Sequence, residues 1–270
     1  MTTVNPAQPS LTSNDAAVLQ ALFDAESSPS SGVTIESTRP SWPATVNISE
    51  TDLASLKTRE ADIIRKVQGD EPSQEVVKSA LDNIDNLLRE YPSYPPAYTN
   101  RAQMLRLLID LQYKQSHPEA RSESSDDALF TPEADSFSSQ IFTDLGKAIT
   151  LATPASPADS LSTVQARLLA DAHTHRGYLL LKAARVLKNG TLLSEGVVVP
   201  ERLRGLDADE LEEMASRDFF LGGRFGNKVA QQLAVQTNPY AKMCGAIVKE
   251  AMRKEVEGGQ DSSQMGRWLL

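Results

Sequence analysis

The chain has 270 residues, 40% hydrophobic and 23% charged, with 15 prolines and one cysteine, Cys244. A single cysteine excludes an internal disulfide framework and most thiolate metal sites, and the opening Met1–Asn14, lacking a basic cluster and an apolar core, does not read as a secretory signal. A formal charge of −9 argues against nucleic acid as main partner, and no run approaches the ~20 apolar residues that span a bilayer, so composition predicts an acidic protein of cytoplasm or nucleus.

Residues 1–48 read as a mostly disordered tail, because its Ser-, Thr- and Pro-rich stretches bury too little apolar area to offset ordering entropy. One short helix over 14–24 interrupts it, capped by Ser13 or Asn14, with Val18, Leu19, Leu22 and Phe23 on one stripe. From Ser49 onward helical signals dominate. Ser49 with Asp52 opens a first helix, broken at Gly69-Asp70-Glu71-Pro72. A second places Val77, Ala80, Leu81, Ile84, Leu87 and Leu88 on one face and stops at Pro92. A third carries Tyr98, Ala102, Leu105, Leu108 and Ile109. Residues 114–135 turn polar and acidic and read as a mobile insert.

The fourth helix holds Ile141, Leu145, Ala148 and Ile149. Ser162 with Gln165 forms a capping box for a long fifth helix that contains Gly177 and ends at Asn189-Gly190. Val197-Val198-Val199 reads as loop, since a lone short strand has nothing to pair with. Asp207 with Glu210 caps a sixth helix, weakened at Gly222-Gly223. A capping helix is expected within 227–257, with Asn238-Pro239 as its start signal and Met243, Ile247 and Ala251 inward. Residues 258–270 read as a loose tail. The fold class is all-α.

Three segments share a small residue, a large apolar one and another small or apolar one at the same spacing: Ala80–Ile84–Leu87, Ile141–Leu145–Ala148 and Ala215–Phe219–Gly222. This is the second-helix pattern of a tetratricopeptide repeat, with Ala102 and Gly177 as the small residues of two partner helices and Asp62 a poor match in the first. The resemblance extends further. Asn14-Asp15-Ala16-Ala17-Val18-Leu19-Gln20-Ala21-Leu22-Phe23, Ala97-Tyr98-Thr99-Asn100-Arg101-Ala102-Gln103, and Asn238-Pro239-Tyr240-Ala241-Lys242-Met243-Cys244 preceded by Ala230-Gln231-Gln232-Leu233 occur in the order of the tetratricopeptide repeat protein 36 family. The chain resembles an enlarged, fungal-type member. The resemblance implies a short solenoid of three helix pairs, about 49–92, 96–153 and 162–224, plus the capping helix. It also implies a protein-binding adaptor, with an Hsp70-type chaperone or a metabolic enzyme as partner and a link to tyrosine metabolism. Extra residues at 70–76, 113–135 and 188–206 fall between the helices of each pair, where loops tolerate growth cheaply.

Catalytic chemistry finds no foothold. No phosphate-binding loop is present, and Gly222-Gly223-Arg224-Phe225-Gly226 lacks a preceding strand. His173 and His175 point roughly 200° apart on one helix and cannot share a metal. No catalytic residue, cofactor or metal is expected. In a stack of pairs the first helices line the hollow face, which predicts a groove presenting Arg59, Lys66, Asn100, Gln103, Arg106, His175, Tyr178 and Lys182, suited to an acidic or carboxylate-bearing peptide. The plain alternative is a solvated helix face, where Lys and Arg are ordinary. The carboxylate clamp of chaperone-binding relatives is matched only by Arg59 and Asn100. Ile63 stands where an Asn belongs, Asp171 where a Lys belongs and His175 where an Arg belongs, so a standard clamp is not expected. In another class, the chain reads as a structural subunit buried in a larger assembly.

Overall fold

The computed structural model describes residues 33–69, 71–118, 128–156, 159–189, 198–238, 249–250 and 253. The expected helix over 14–24, the centre of the acidic insert, Val197, Cys244 and the tail 258–270 lie outside the described residues, as does nearly all of the chain beyond Asn238. Seven α-helices stand among them: α1 Glu50–Val67, α2 Gln74–Glu90, α3 Pro95–Ser116, α4 Asp135–Ala152, α5 Thr163–Asn189, α6 Ala208–Arg224 and α7 Lys228–Thr237. The architecture is all-helical. Each helix packs on its neighbour in the chain, and α5 with α6 makes the most extensive interface.

The caps explain where the helices begin. Ser49 accepts from the Asp52 amide at 3.1 Å, and the Ser162 hydroxyl accepts from the Gln165 amide at 3.0 Å while the Gln165 side chain reaches back to the Ser162 amide. Asp207 and Glu210 complete a reciprocal capping box. These satisfy amide groups that no intrahelical carbonyl reaches. Pro95 and Pro96 sit in the first turn of α3, where the missing N–H leaves no gap.

Every member of the three spaced triads is buried. Ala80, Ile84, Leu87, Ala148, Ala215 and Phe219 are fully so, and Ile141, Leu145 and Gly222 are nearly so. Two of the partner helices add an ionic staple that repeats in register. Arg101, just before Ala102, holds Asp144, just before Leu145, through Nε at 2.8 Å and Nη2 at 2.6 Å. Arg176, just before Gly177, holds Asp218, just before Phe219, through Nε at 2.7 Å and Nη2 at 2.8 Å. The first pair carries Ala61 and Asn83 at the matching places. His173 Nδ1 lies 2.8 Å from Asp218, and its ring stacks on Phe225. Burial pushes the Asp218 carboxyl up, but the bonds from Arg176 and His173 outweigh it and hold it below the usual range.

Three expectations change. First, Gly222-Gly223 does not weaken α6, which runs on to Arg224. These glycines permit close approach: a Cβ on Gly222 would lie 2.7 Å from Thr174 Oγ1 and 3.1 Å from Ala230 Cβ. Second, the acidic insert is not loose throughout. Ala128, Leu129, Phe130 and Ala134 are buried, the Ser138 hydroxyl donates to the Leu129 carbonyl at 2.7 Å, and the Val198 amide donates to the Phe130 carbonyl. Third, residues 33–48 are not a free tail. They form a strap from the start of α5 to the start of α1. Glu36 N–H bonds the Leu161 carbonyl and Leu161 N–H bonds the Thr34 carbonyl, each at 2.8 Å. The Ser162 hydroxyl donates to the Ser41 carbonyl. Trp42 and Val46 are buried, and Trp42 meets Tyr94 edge-on with ring centroids 6.4 Å apart.

Candidate functional site: a cleft between α1, α3 and α5

A cleft of about 410 Å³ opens where the strap meets three helices. The strap contributes Trp42 and α1 contributes Glu60. Helix α3 presents Pro96, Thr99, Asn100 and Gln103; α5 presents Val164, Arg167, Leu168, Asp171 and His175; and Leu145 of α4 lies among them. A second depression of about 370 Å³ shares Gln103 and His175 with the first and adds Arg106, Leu107 and Asp110. The two form one trough of mixed polar and apolar lining along α3 and α5.

The floor of the cleft is fixed by Glu60. Its carboxylate accepts from the Tyr94 hydroxyl on one oxygen and the Asn100 amide on the other. Burial raises the Glu60 pKa, and those two bonds counter it only in part. Burial, with the Glu60 charge beside it, pushes the Tyr94 hydroxyl well up, so it stays protonated and donating. At the far end Tyr178 is flanked by two cations, with the Arg106 guanidinium 5.6 Å and the Lys182 ammonium 5.4 Å from its ring centroid. Such contacts are worth about 0.5–1 kcal/mol at exposed sites and hold both charges beside the trough.

Of the eight residues expected in a groove, Asn100, Gln103, Arg106 and His175 line the two depressions, and Tyr178 and Lys182 adjoin them through Arg106. Arg59 and Lys66 do not join them. Arg59 turns to α2 and grips Glu90 at 2.8 and 3.0 Å, lining a separate depression with Asp62, Asn83, Asn86 and Arg89. Lys66 lines neither part of the trough. Spacing placed Arg59 on the hollow face; a carboxylate 31 residues away redirects it. Trp42 and Glu60 escaped sequence reasoning. A tryptophan amid Ser and Pro gives no periodicity, and a glutamate on a charged helix reads as solvated.

His175 does not supply positive charge. Burial, assisted by Arg106, pushes its imidazole down to about 4. The unfolded chain then binds a proton between about pH 6.5 and 4 that the folded chain refuses, so this group removes stability as pH falls through that window. The expected loss is on the order of 3 kcal/mol for a shift of this size. Urea titrations from pH 7 to 4 should show His175→Gln retaining that amount relative to wild type. The opposing contribution of Glu60 is common to both proteins and cancels in the difference. Equal acid sensitivity would overturn the assignment.

The fold and site thus define an all-helical protein with a solvent-open trough of mixed lining, and no group of acidic, His and Cys side chains that could hold a metal exists among the described residues. Nor is any helix among them long and apolar enough to cross a membrane. No family model matches the chain, and no solved structure matches it at a significant level. A curated relative does: the L-tyrosine degradation gene cluster protein hmgX of Aspergillus fumigatus is 60% identical over 260 residues, spanning 95% of this chain and 98% of the relative. The chain belongs to the family of that protein.

Proposed function

We propose that the chain is a non-enzymatic protein-binding adaptor that serves L-tyrosine degradation. In this reading the helices form a short solenoid of the tetratricopeptide type, and the trough along α3 and α5 receives a peptide of its partner, a metabolic enzyme or an Hsp70-type chaperone. The trough itself carries the reading: Asn100 and Gln103 offer amide donors and acceptors, and Arg106 and Lys182 bring positive charge to one end. The buried triads and the Arg–Asp staple repeated in register support the solenoid. The relative's place in an L-tyrosine degradation gene cluster supports the pathway.

The test uses a strain lacking the chain, complemented with wild type or with Asn100→Ala, Arg106→Glu and Lys182→Glu combined. Proximity labelling should lose the partners captured by wild type, and growth on tyrosine should fall, while circular dichroism of the purified variant stays helical. Unchanged capture by the folded variant overturns the groove. A second reading, a structural subunit, draws on the exposed Phe220, Val229 and Val235 of α6 and α7. It predicts a sedimentation mass above that of one chain.

A further inference from the structure

Among the described residues, the buried side-chain polar atoms without a hydrogen-bond partner are Trp42 Nε1 and His175 Nε2. Both side chains line the same cleft. A buried donor or acceptor left unpaired carries a desolvation penalty of about 1–3 kcal/mol, so folded chains seldom keep one idle. Two at one cleft, one of them on a tryptophan only 8% exposed, would each gain a partner from a ligand that displaced the cleft lining enough to reach them.

The atoms constrain that ligand. Trp42 Nε1 only donates, so it needs an acceptor. His175 is neutral at pH 7, so its Nε2 either accepts or donates according to tautomer. A peptide unit, with one C=O and one N–H, answers both. A carboxylate fits poorly here. Glu60 and Asp171 face the cleft against a single guanidinium, Arg167, and two carboxylates to one cation repel an anion. The indole of Trp42, with Pro96, Leu145 and Leu168, leaves an apolar wall instead. Positive charge lies farther on. Lys182 follows His175 by seven positions on α5 (182 − 175), about 10 Å along the axis at ~1.5 Å per residue, a distance that about three residues of extended chain cover.

We propose that the cleft is an anchor pocket read by Trp42. An extended peptide seats one uncharged apolar side chain against the indole, presents the adjoining peptide unit to Trp42 Nε1 and His175 Nε2, and places an acidic residue about three positions away, beside Arg106 and Lys182. The strap is then part of the binding surface, and recognition is of an internal segment rather than of a chain terminus. This rests on the reading of the trough as a peptide-binding groove.

The test selects phage-displayed random twelve-residue peptides on the full chain carrying Trp268→Phe, which leaves Trp42 as sole tryptophan of two. Enriched sequences should share an apolar position with an acidic one about three away. Their synthetic forms, capped at both ends, should bind and shift the Trp42 emission. Trp42→Phe, which keeps an aromatic ring but removes the N–H and the fused five-membered ring, should weaken labelled peptides about tenfold by anisotropy. His175→Leu removes the other unpaired atom and should weaken them comparably, which guards against a misfolded Trp42 variant. Peptides that bind but lack an apolar position, need a free carboxyl terminus, or ignore both substitutions overturn the anchor and leave the groove standing. A selection that enriches nothing overturns both.

Discussion

Replacing Asp144 with alanine is expected to cost about 3–5 kcal/mol of folding stability. The Asp144 side chain is only 1% exposed, and Arg101, the cation it holds, is 19% exposed. Removing the carboxylate leaves a guanidinium partly buried between α3 and α4, with Asp85 at 2.7 Å as its remaining partner and that residue 44% exposed. Gln140 also loses its acceptor. The energy lies in the stranded charge rather than in the net worth of the pair, so Arg101→Met combined with Asp144→Leu should recover most of the loss. Urea denaturation of the three variants checks this. A double variant as unstable as Asp144→Ala would overturn the stranded charge as the source of the loss. Asp218→Ala should behave alike, because it strands Arg176 and His173 together.

Gly222→Val should also be strongly damaging, at about 3 kcal/mol. The position faces two helices, α5 and α7. An added Cβ meets Thr174 Oγ1 at 2.7 Å, Ala230 Cβ at 3.1 Å and the Ala170 carbonyl at 3.2 Å. The Thr174 hydroxyl cannot swing aside freely, since it donates to that same carbonyl at 2.6 Å. Two further methyl carbons must push α6 from α5 and lift α7, and overpacking of this kind costs about 1–3 kcal/mol before a helix separates. Hydrogen exchange should show α7 losing protection first. Gly205→Val, where an added Cβ meets nothing but φ is +91°, should cost less, through backbone strain alone. Equal losses would mean that close approach at Gly222 is not what fixes α7.

The helices, their caps and the inward triads were legible because each is local. About three consecutive turns of apolar spacing, as in Val77–Leu88, or a reciprocal pair such as Asp207 and Glu210, need nothing distant to be read. The half of the trough built from α3 and α5 was legible for the same reason: Asn100, Gln103, Arg106 and His175 follow from which face of each helix is free. What failed depends on partners far along the chain. Arg59 is claimed by Glu90. Trp42 earns its burial from Tyr94, and Ala128-Leu129-Phe130 from Val198 and Ser138, though their neighbours in sequence are Ser, Pro and acids. Glu60 is recognisable as a buried carboxylate only once Tyr94 and Asn100 are seen to bond it.

The backbone bridge between Ile35 and Leu161, with the Ser162–Ser41 bond spanning 121 positions, alters how the molecule comes together. Rods that touch only their neighbours can assemble as they leave the ribosome, one after another. Here the earliest of the described residues must wait, unclasped, until α5 has begun to emerge, so the far wall of the cleft is the last piece set in place. A nascent chain halted short of Leu161 would hold α1 to α4 but no finished pocket, and the protein would gain its capacity to grip a partner only late in its own synthesis.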